Sequence, residues 1–197
     1  MQYLKDEIRQ RILSSAVEEF KQYGFSDASI RNIANNAEIS LGNVYRYFSN
    51  KESLYFAVIN PFMKSIEEAV ESVFVFAGRS MKEVSELLVN FLMQYSDELI
   101  IVRKGNTSHY EAFVNYMVSM ISRKVREMIT SEFPEIDEKI QNPDFYNMIA
   151  ESFLMALFRI FKAGEDSAVQ ERNVRELITF FFGHMKDRFY HFDLEIN

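Results

Sequence analysis

An all-α fold is what this sequence predicts, on three observations. Apolar residues recur at three- and four-residue spacing along almost the whole chain, and no run alternates apolar with polar as a half-buried strand would. Helix starts are written in as capping signals, among them the tetrad Ser80-Met81-Lys82-Glu83 and the pair Asn142-Pro143. Between Ala28 and Lys51 two short helical patterns flank a tight turn, which is the layout of a helix-turn-helix.

Ser29 is placed to cap the first short helix, in which Ile30, Ile33, Ala34 and Ala37 share a face that must be buried. After a break at Glu38 and Ile39, Ser40 is placed to cap a second helix whose Val44 and Phe48 point inward. Leu41, Asn43, Tyr45, Arg46 and Tyr47 are then wholly or partly outward. Those residue types suit a DNA groove. Asn and Arg make bidentate contacts with base edges, and a Tyr hydroxyl reaches phosphate while its ring touches sugar or a thymine methyl. The next helix opens at Ser49 or Asn50, with Glu52 expected to complete a capping box. Lys51 falls near that N-terminus, where ammonium and free backbone donors together favour a phosphate.

The run from Ile12 to Val58 resembles the N-terminal domain of the TetR family of ligand-responsive repressors. The elements that carry the resemblance are Gly24-Phe25 ahead of Ser29, the Ile33-Ala34 pair, Ser40, Gly42, Tyr45-Arg46-Tyr47-Phe48 and Lys51-Glu52-Ser53-Leu54. It covers roughly the first quarter to third of the chain. The resemblance implies a DNA-binding set of Ser29, Arg31, Ser40, Leu41, Gly42, Asn43, Tyr45, Arg46, Tyr47 and Lys51. Two positions depart from the family pattern. Glu38 stands where glycine is usual, so a positive φ there carries a side-chain penalty of about 1 kcal/mol. Leu41 stands where lysine is frequent, exchanging a phosphate contact for an apolar one.

Helix four is expected to run from Lys51 toward Phe76. Pro61 lies inside it and removes one backbone hydrogen bond, which predicts either a kink that serves as a pivot or a helix that ends and restarts near Asn60. From Ser80 a further helix carries Val84, Leu87, Leu88, Phe91, Leu92, Tyr95 and Leu99 on one broad face and ends at Lys104-Gly105-Asn106. The next spans Ser108 to Phe133 and stops at Pro134. Pro143 to Ala163, with Gly164 just beyond, is apolar almost all round, so it must be covered on two sides. The last helix is expected from about Arg172 to Tyr190, adding Val174, Leu177, Ile178, Phe181, Phe182, Met185 and Phe189. A second copy supplying the same two helices would complete a four-helix bundle about a two-fold axis, the role these helices play in TetR-like proteins.

The organisation expected is therefore a DNA-binding head over 1–52, with the start of helix four, and a helical ligand-binding and dimerisation body over 53–197. In TetR-like proteins the body encloses the inducer. Candidates to line such a cavity are Phe62, Phe91, Tyr95, Tyr110, Phe113, Tyr116, Met117, Met120 and Phe153, with Arg103, His109 and Glu111 close enough in sequence to set its polarity.

Composition bears on what else the chain can be. It has 197 residues, 48% of them hydrophobic, and a formal charge of −7. Within 1–52 seven basic residues meet seven acidic ones, so the remainder carries the whole deficit. A neutral head on an acidic body predicts a binder that relies on dimerisation and few phosphate contacts, and is marked by salt sensitivity. The absence of cysteine excludes disulfides and thiolate metal sites, and no N-terminal apolar stretch reads as a signal peptide, so the cytoplasm is the expected compartment. The longest apolar run, around Phe180-Phe181-Phe182, is far short of the roughly 20 residues of a membrane span. No nucleophile motif, phosphate loop or cofactor motif suggests an enzyme, and His109, His184 and His191 form no recognised metal spacing, although His184, Asp187 and His191 could share a helix face. The expectation is a homodimeric regulator, a repressor released from a palindromic DNA operator by a small apolar or amphipathic inducer, without cofactor, metal or membrane. The alternative is a ligand-binding or protein-interaction module that keeps the fold without using it on DNA, as the near-neutral head and Leu41 allow.

Overall fold

Helices make up most of the described residues. The computed structural model describes residues 2–73, 81–132, 134, 140 and 142–183, and among them no strand occurs. In chain order the helices are α1 (Gln2–Asp27), α2 (Ile30–Asn36), α3 (Leu41–Tyr47), α4 (Lys51–Val73), α5 (Met81–Gln94), α6 (Ser96–Arg103), α7 (Thr107–Glu132), α8 (Phe145–Ile160) and α9 (Ser167–Phe182). Contacts sort them into two units. The first holds the described residues up to Glu67 together with Tyr95–Ala112, and the second holds Glu68–Gln94 and the described residues from Phe113 onward.

In the first unit the expected inward faces are buried except at Ile30, which is half-buried at the start of α2: Ile33, Ala34, Ala37, Val44 and Phe48 join Ile12, Ala16 and Phe20 of α1 and Leu54, Tyr55 and Val58 of α4. Fully burying one such side chain stabilises by about 1.5–3 kcal/mol relative to exposure, so this small core suffices to hold the short α2 and α3, which alone would not persist. α1 bends at Gly24, whose φ of 75° is left-handed and whose missing Cβ would lie 2.7 Å from the carbonyl oxygen of Lys104. Glycine there satisfies both demands. The neighbouring Phe25 N–H donates to that same carbonyl at 3.1 Å, and Lys104 Nζ returns to the carbonyls of Lys21 and Gln22 at 2.8 and 2.9 Å. The α6 terminus thereby satisfies carbonyls at the end of α1 that have no helical partner.

Several boundaries differ from expectation, each for a local reason. The α4 cap is Asn50, whose Oδ1 accepts from Ser53 N–H at 2.7 Å, and the reciprocal bond to Asn50 N–H comes from Ser53 Oγ rather than from Glu52. α4 continues through Pro61 instead of ending near Asn60. The single helix expected up to Lys104 is broken at Tyr95 (φ −107°, ψ 26°) into α5 and α6. After the break four consecutive residues, Leu99, Ile100, Ile101 and Val102, are all buried, so α6 is covered all round and shows no single face for a period to detect. α7 starts at Thr107, capped by Asn106 Oδ1 accepting from His109 N–H at 2.8 Å. α8 starts at Phe145, not Pro143, and stops at Ile160 because the fully buried Phe161 is extended. α9 starts at Ser167, five residues before Arg172, because Asp166 caps it through Ala168 and Val169 N–H. The Ser80 cap, Phe76, Phe133, Met185, Phe189 and the stretch to Tyr190 lie outside the described residues.

In the second unit α9 packs on α5 and α8, with Val174 and Ile178 buried and Arg175 bridging Glu86 of α5 at 2.6 Å and Glu171 at 2.8 Å. Phe153 of α8 meets the rings of Phe181 and Phe182 edge-on. Although α8 buries Tyr146, Ala150, Phe153, Leu154, Leu157 and Phe158, it leaves Met148 and Ile149 exposed, and α9 leaves Phe180 65% exposed.

Candidate nucleic-acid interface

The interface is built on two short helices and the turn between them. Ser29 Oγ accepts from Asn32 N–H at 3.4 Å and Ser40 Oγ from Asn43 N–H at 3.3 Å, so both serines cap as expected and each hydroxyl keeps its own proton to donate. With Val44 turned into the core, α3 presents Gly42, Tyr45 and Arg46 to solvent, Tyr45 at 49%, while Leu41, Asn43 and Tyr47 are half-buried along the edges of the same arc. Arg31 is exposed on α2. A Cβ at Gly42 would meet nothing within 4 Å, so no neighbour within the chain requires glycine there.

Lys51 is differently employed. Its Nζ donates to the carbonyls of Ser26 and Ala28 at 2.9 and 3.0 Å and lies 5.0 Å from the centroid of the Phe25 ring, which leaves one of three N–H groups uncommitted. Glu38 occupies the turn with φ of 54°, the left-handed conformation its position demands. Arg11 of α1 donates from Nη2 to the carbonyl of Ala37 and to the Glu38 carboxylate, the latter at 3.1 Å. Glu19, also of α1 and only 4% exposed, accepts at one oxygen from Ser29 N–H at 2.9 Å and from Asn32 Nδ2 at 3.2 Å. Arg9 lies over the Phe48 ring. Sequence reasoning passed over Arg9, Arg11 and Glu19, because charged residues on a long helix read as a solvated face.

The candidate ligand residues fall in both units. Phe62 and Tyr95 pack ring to ring at 5.2 Å in the first, with Tyr110 half-buried there, and Tyr95 Oη donates to Ser65 Oγ at 2.8 Å. In the second, Phe113, Met117, Met120 and Phe153 are buried, Phe91 is half-buried and Tyr116 is 41% exposed. A shallow groove of about 340 Å³ on α7 and α8 is lined by polar groups including Asn115, Ser119, Ser122, Asp144, Asn147 and Glu151, and by none of the nine candidates. Arg103 and Glu111 are exposed. His109 sits inside the first unit, stacked on Tyr55 at 4.7 Å and edge-on to Phe25 and Phe56, with Nε2 against the Glu52 carboxylate. Its Nδ1 is buried without a hydrogen-bond partner among the described residues. His184, Asp187 and His191 lie outside the described residues, and among those described no group of three His, Asp or Glu is disposed to hold a metal ion. No helix of the described residues is long and apolar enough to cross a membrane.

Residues 12–58 match the family model described as bacterial regulatory proteins, tetR family. Over this stretch the chain is similar to the TetR family of regulators. Among curated relatives, it is 32% identical over 95 residues to the uncharacterized HTH-type transcriptional regulator YdgC of Bacillus subtilis, covering 47% of this chain and 49% of that protein. It is 25% identical over 128 residues to the probable HTH-type transcriptional regulator YttP of the same organism, covering 65% and 58%. The chain thus spans about half the length of the curated relatives it matches. The likeness of fold extends further than that of sequence: a transcriptional regulator of the TerR/AcrR family from Aquifex aeolicus superposes with a TM-score of 0.64 at 20% identity, over 89% of this chain and 99% of that one.

Proposed function

We propose that this chain is a TetR-family DNA-binding transcriptional regulator: a homodimer whose two recognition helices read a palindromic duplex, acting as a repressor that is released when a small apolar or amphipathic molecule binds its body. The observation that carries this reading is the exposed arc of α3, where Tyr45 and Arg46 stand clear of the protein beside Asn43 and Tyr47. We assign DNA reading to residues 1–52, through Ser29, Arg31, Ser40, Leu41, Gly42, Asn43, Tyr45, Arg46, Tyr47 and the uncommitted proton of Lys51. Ligand binding and dimerisation belong to 53–197. The exposed Met148, Ile149 and Phe180 on the last two helices support a partner copy covering them. The ligand acts by differential affinity, binding better to the state whose heads are wrongly spaced for the operator, with α4 carrying the coupling past Pro61.

The test is retention of the purified dimer on the DNA immediately upstream of its own gene, at moderate salt, with Tyr45→Ala alongside. The variant is expected to lose about tenfold or more in affinity, the scale of one readout contact in each head, with an unchanged thermal midpoint because Tyr45 is half-exposed. A wild-type dimer that prefers no duplex over random sequence, even after unfolding and refolding to strip any bound ligand, would overturn the reading.

A further inference from the structure

Two charged residues of α1 meet opposite ends of α2. Glu19 receives the N–H of Ser29, the N-cap of α2, and Arg11 donates to the carbonyl of Ala37, its C-cap. Arg11 to Glu19 spans eight residues, and so does Ser29 to Ala37. At 1.5 Å per helical residue both spans are about 12 Å long, so the two helices run antiparallel in register over that length. The signs are also matched. A carboxylate sits at the positive end of α2 and a guanidinium at its negative end, each meeting a backbone group that has no partner inside the helix. The carboxylate is nearly withdrawn from water and also holds the side chain of Asn32, next to the exposed Arg31. A buried carboxylate is costly unless it is well bonded, and both of these bonds go to the start of α2 rather than to α1 itself.

We propose that Arg11 and Glu19 are positioning residues for DNA reading, a two-point clamp that sets α2 lengthwise and in rotation against α1. Because α3 follows α2 across a turn of four residues and packs on it, the clamp sets the recognition helix as well. Neither residue touches DNA. The inference rests on the DNA-reading function above.

The experiment compares wild type with Glu19→Leu, Glu19→Gln and Arg11→Met on a duplex that the wild-type protein selects from a random-sequence pool. Thermal midpoint and Ser29 amide exchange are measured on the same samples. Glu19→Leu and Arg11→Met are expected to hold the wild-type midpoint within a few degrees yet bind about tenfold more weakly, the scale of one charge-assisted hydrogen bond, and Glu19→Leu to lose Ser29 amide protection. Glu19→Gln keeps an acceptor at the same place and is expected to restore most of the affinity and the protection. The clamp is refuted if the two apolar variants bind as wild type, or if their affinity falls only in step with the folded fraction and Glu19→Gln does no better than Glu19→Leu. Should Glu19→Leu fail to fold, Arg11→Met decides. A wild-type protein that selects no duplex refutes the DNA-reading function instead, a result separable from any behaviour of the variants.

Discussion

Glu38 holds a left-handed backbone with its side chain almost wholly in water, bridged to Arg11. That conformation costs a residue with a Cβ about 1–2 kcal/mol. An exposed bridge offsets less than about 1 kcal/mol, and glycine's extra unfolded-state entropy takes back part of the gain. Glu38→Gly is therefore expected to raise stability by about 0.5 kcal/mol, read as a higher urea midpoint at unchanged slope. Tyr55 answers to pH instead. Burial, reinforced by the charge of Glu52, pushes its phenol up to about 12 from the ordinary 10.0. The unfolded chain ionises first, so the stabilisation from Tyr55 is complete below pH 10 and falls by about 3 kcal/mol as pH rises to about 12. Tyr55→Phe should lack that alkaline slope in urea titrations between pH 9 and 12. The strain at Glu38 was legible because one turn position and one missing glycine define it. The employment of Lys51 was not, since its carbonyl partners lie more than twenty residues away in sequence.

At the scale of elements, α5 and α9 are joined by Arg175, whose hydrogen bond holds the Glu86 carboxyl below the usual carboxylate range. A depressed carboxylate stabilises the fold above its unfolded value near 4.5 and loses that contribution as pH falls through the folded value. Arg175→Met is expected to lower the thermal midpoint at neutral pH, and the gap to wild type should close as pH falls below 4.5, which calorimetry across pH 3–7 would check. Helix starts written in a single side chain were readable, as Ser29 and Ser40 show. Ends and breaks set by what covers a segment were not. Tyr95 interrupts a continuous apolar pattern, and α8 stops at Phe161 because that ring is enclosed while the backbone turns away. Periodicity reports which residues are apolar, and tertiary contact decides whether the chain meets that demand by continuing the helix or leaving it.

For the whole molecule, on the proposed DNA-reading function, the distribution of charge sets how the duplex is held. The first 52 residues are neutral and the rest carries −7. Of the head cations near the interface, Arg11 is held by a carbonyl and a carboxylate and Lys51 by two carbonyls, while Arg31 and Arg46 are exposed. About two phosphate contacts in each head, or four in a dimer, correspond to a log–log salt slope near −4. A measured slope steeper than about −7 would mean that cations elsewhere reach the duplex. For the proposed homodimer, dilution is expected to weaken duplex binding in parallel with dissociation into monomers.

The sequence by itself determined the all-helical class, the head with its two capped short helices, the strained turn and the outward arc of α3, because each rests on local spacing and on one residue's chemistry. Only the tertiary structure decided that Tyr95–Ala112 folds in one unit with the residues up to Glu67, that His109 stands in an aromatic nest beside Glu52, and that Arg11 and Glu19 meet the two ends of α2. Those pairings join residues from 10 to 83 positions apart, from Glu19 with Ser29 to Lys104 with Lys21, and no local pattern records which distant group satisfies a buried charge or a helix end.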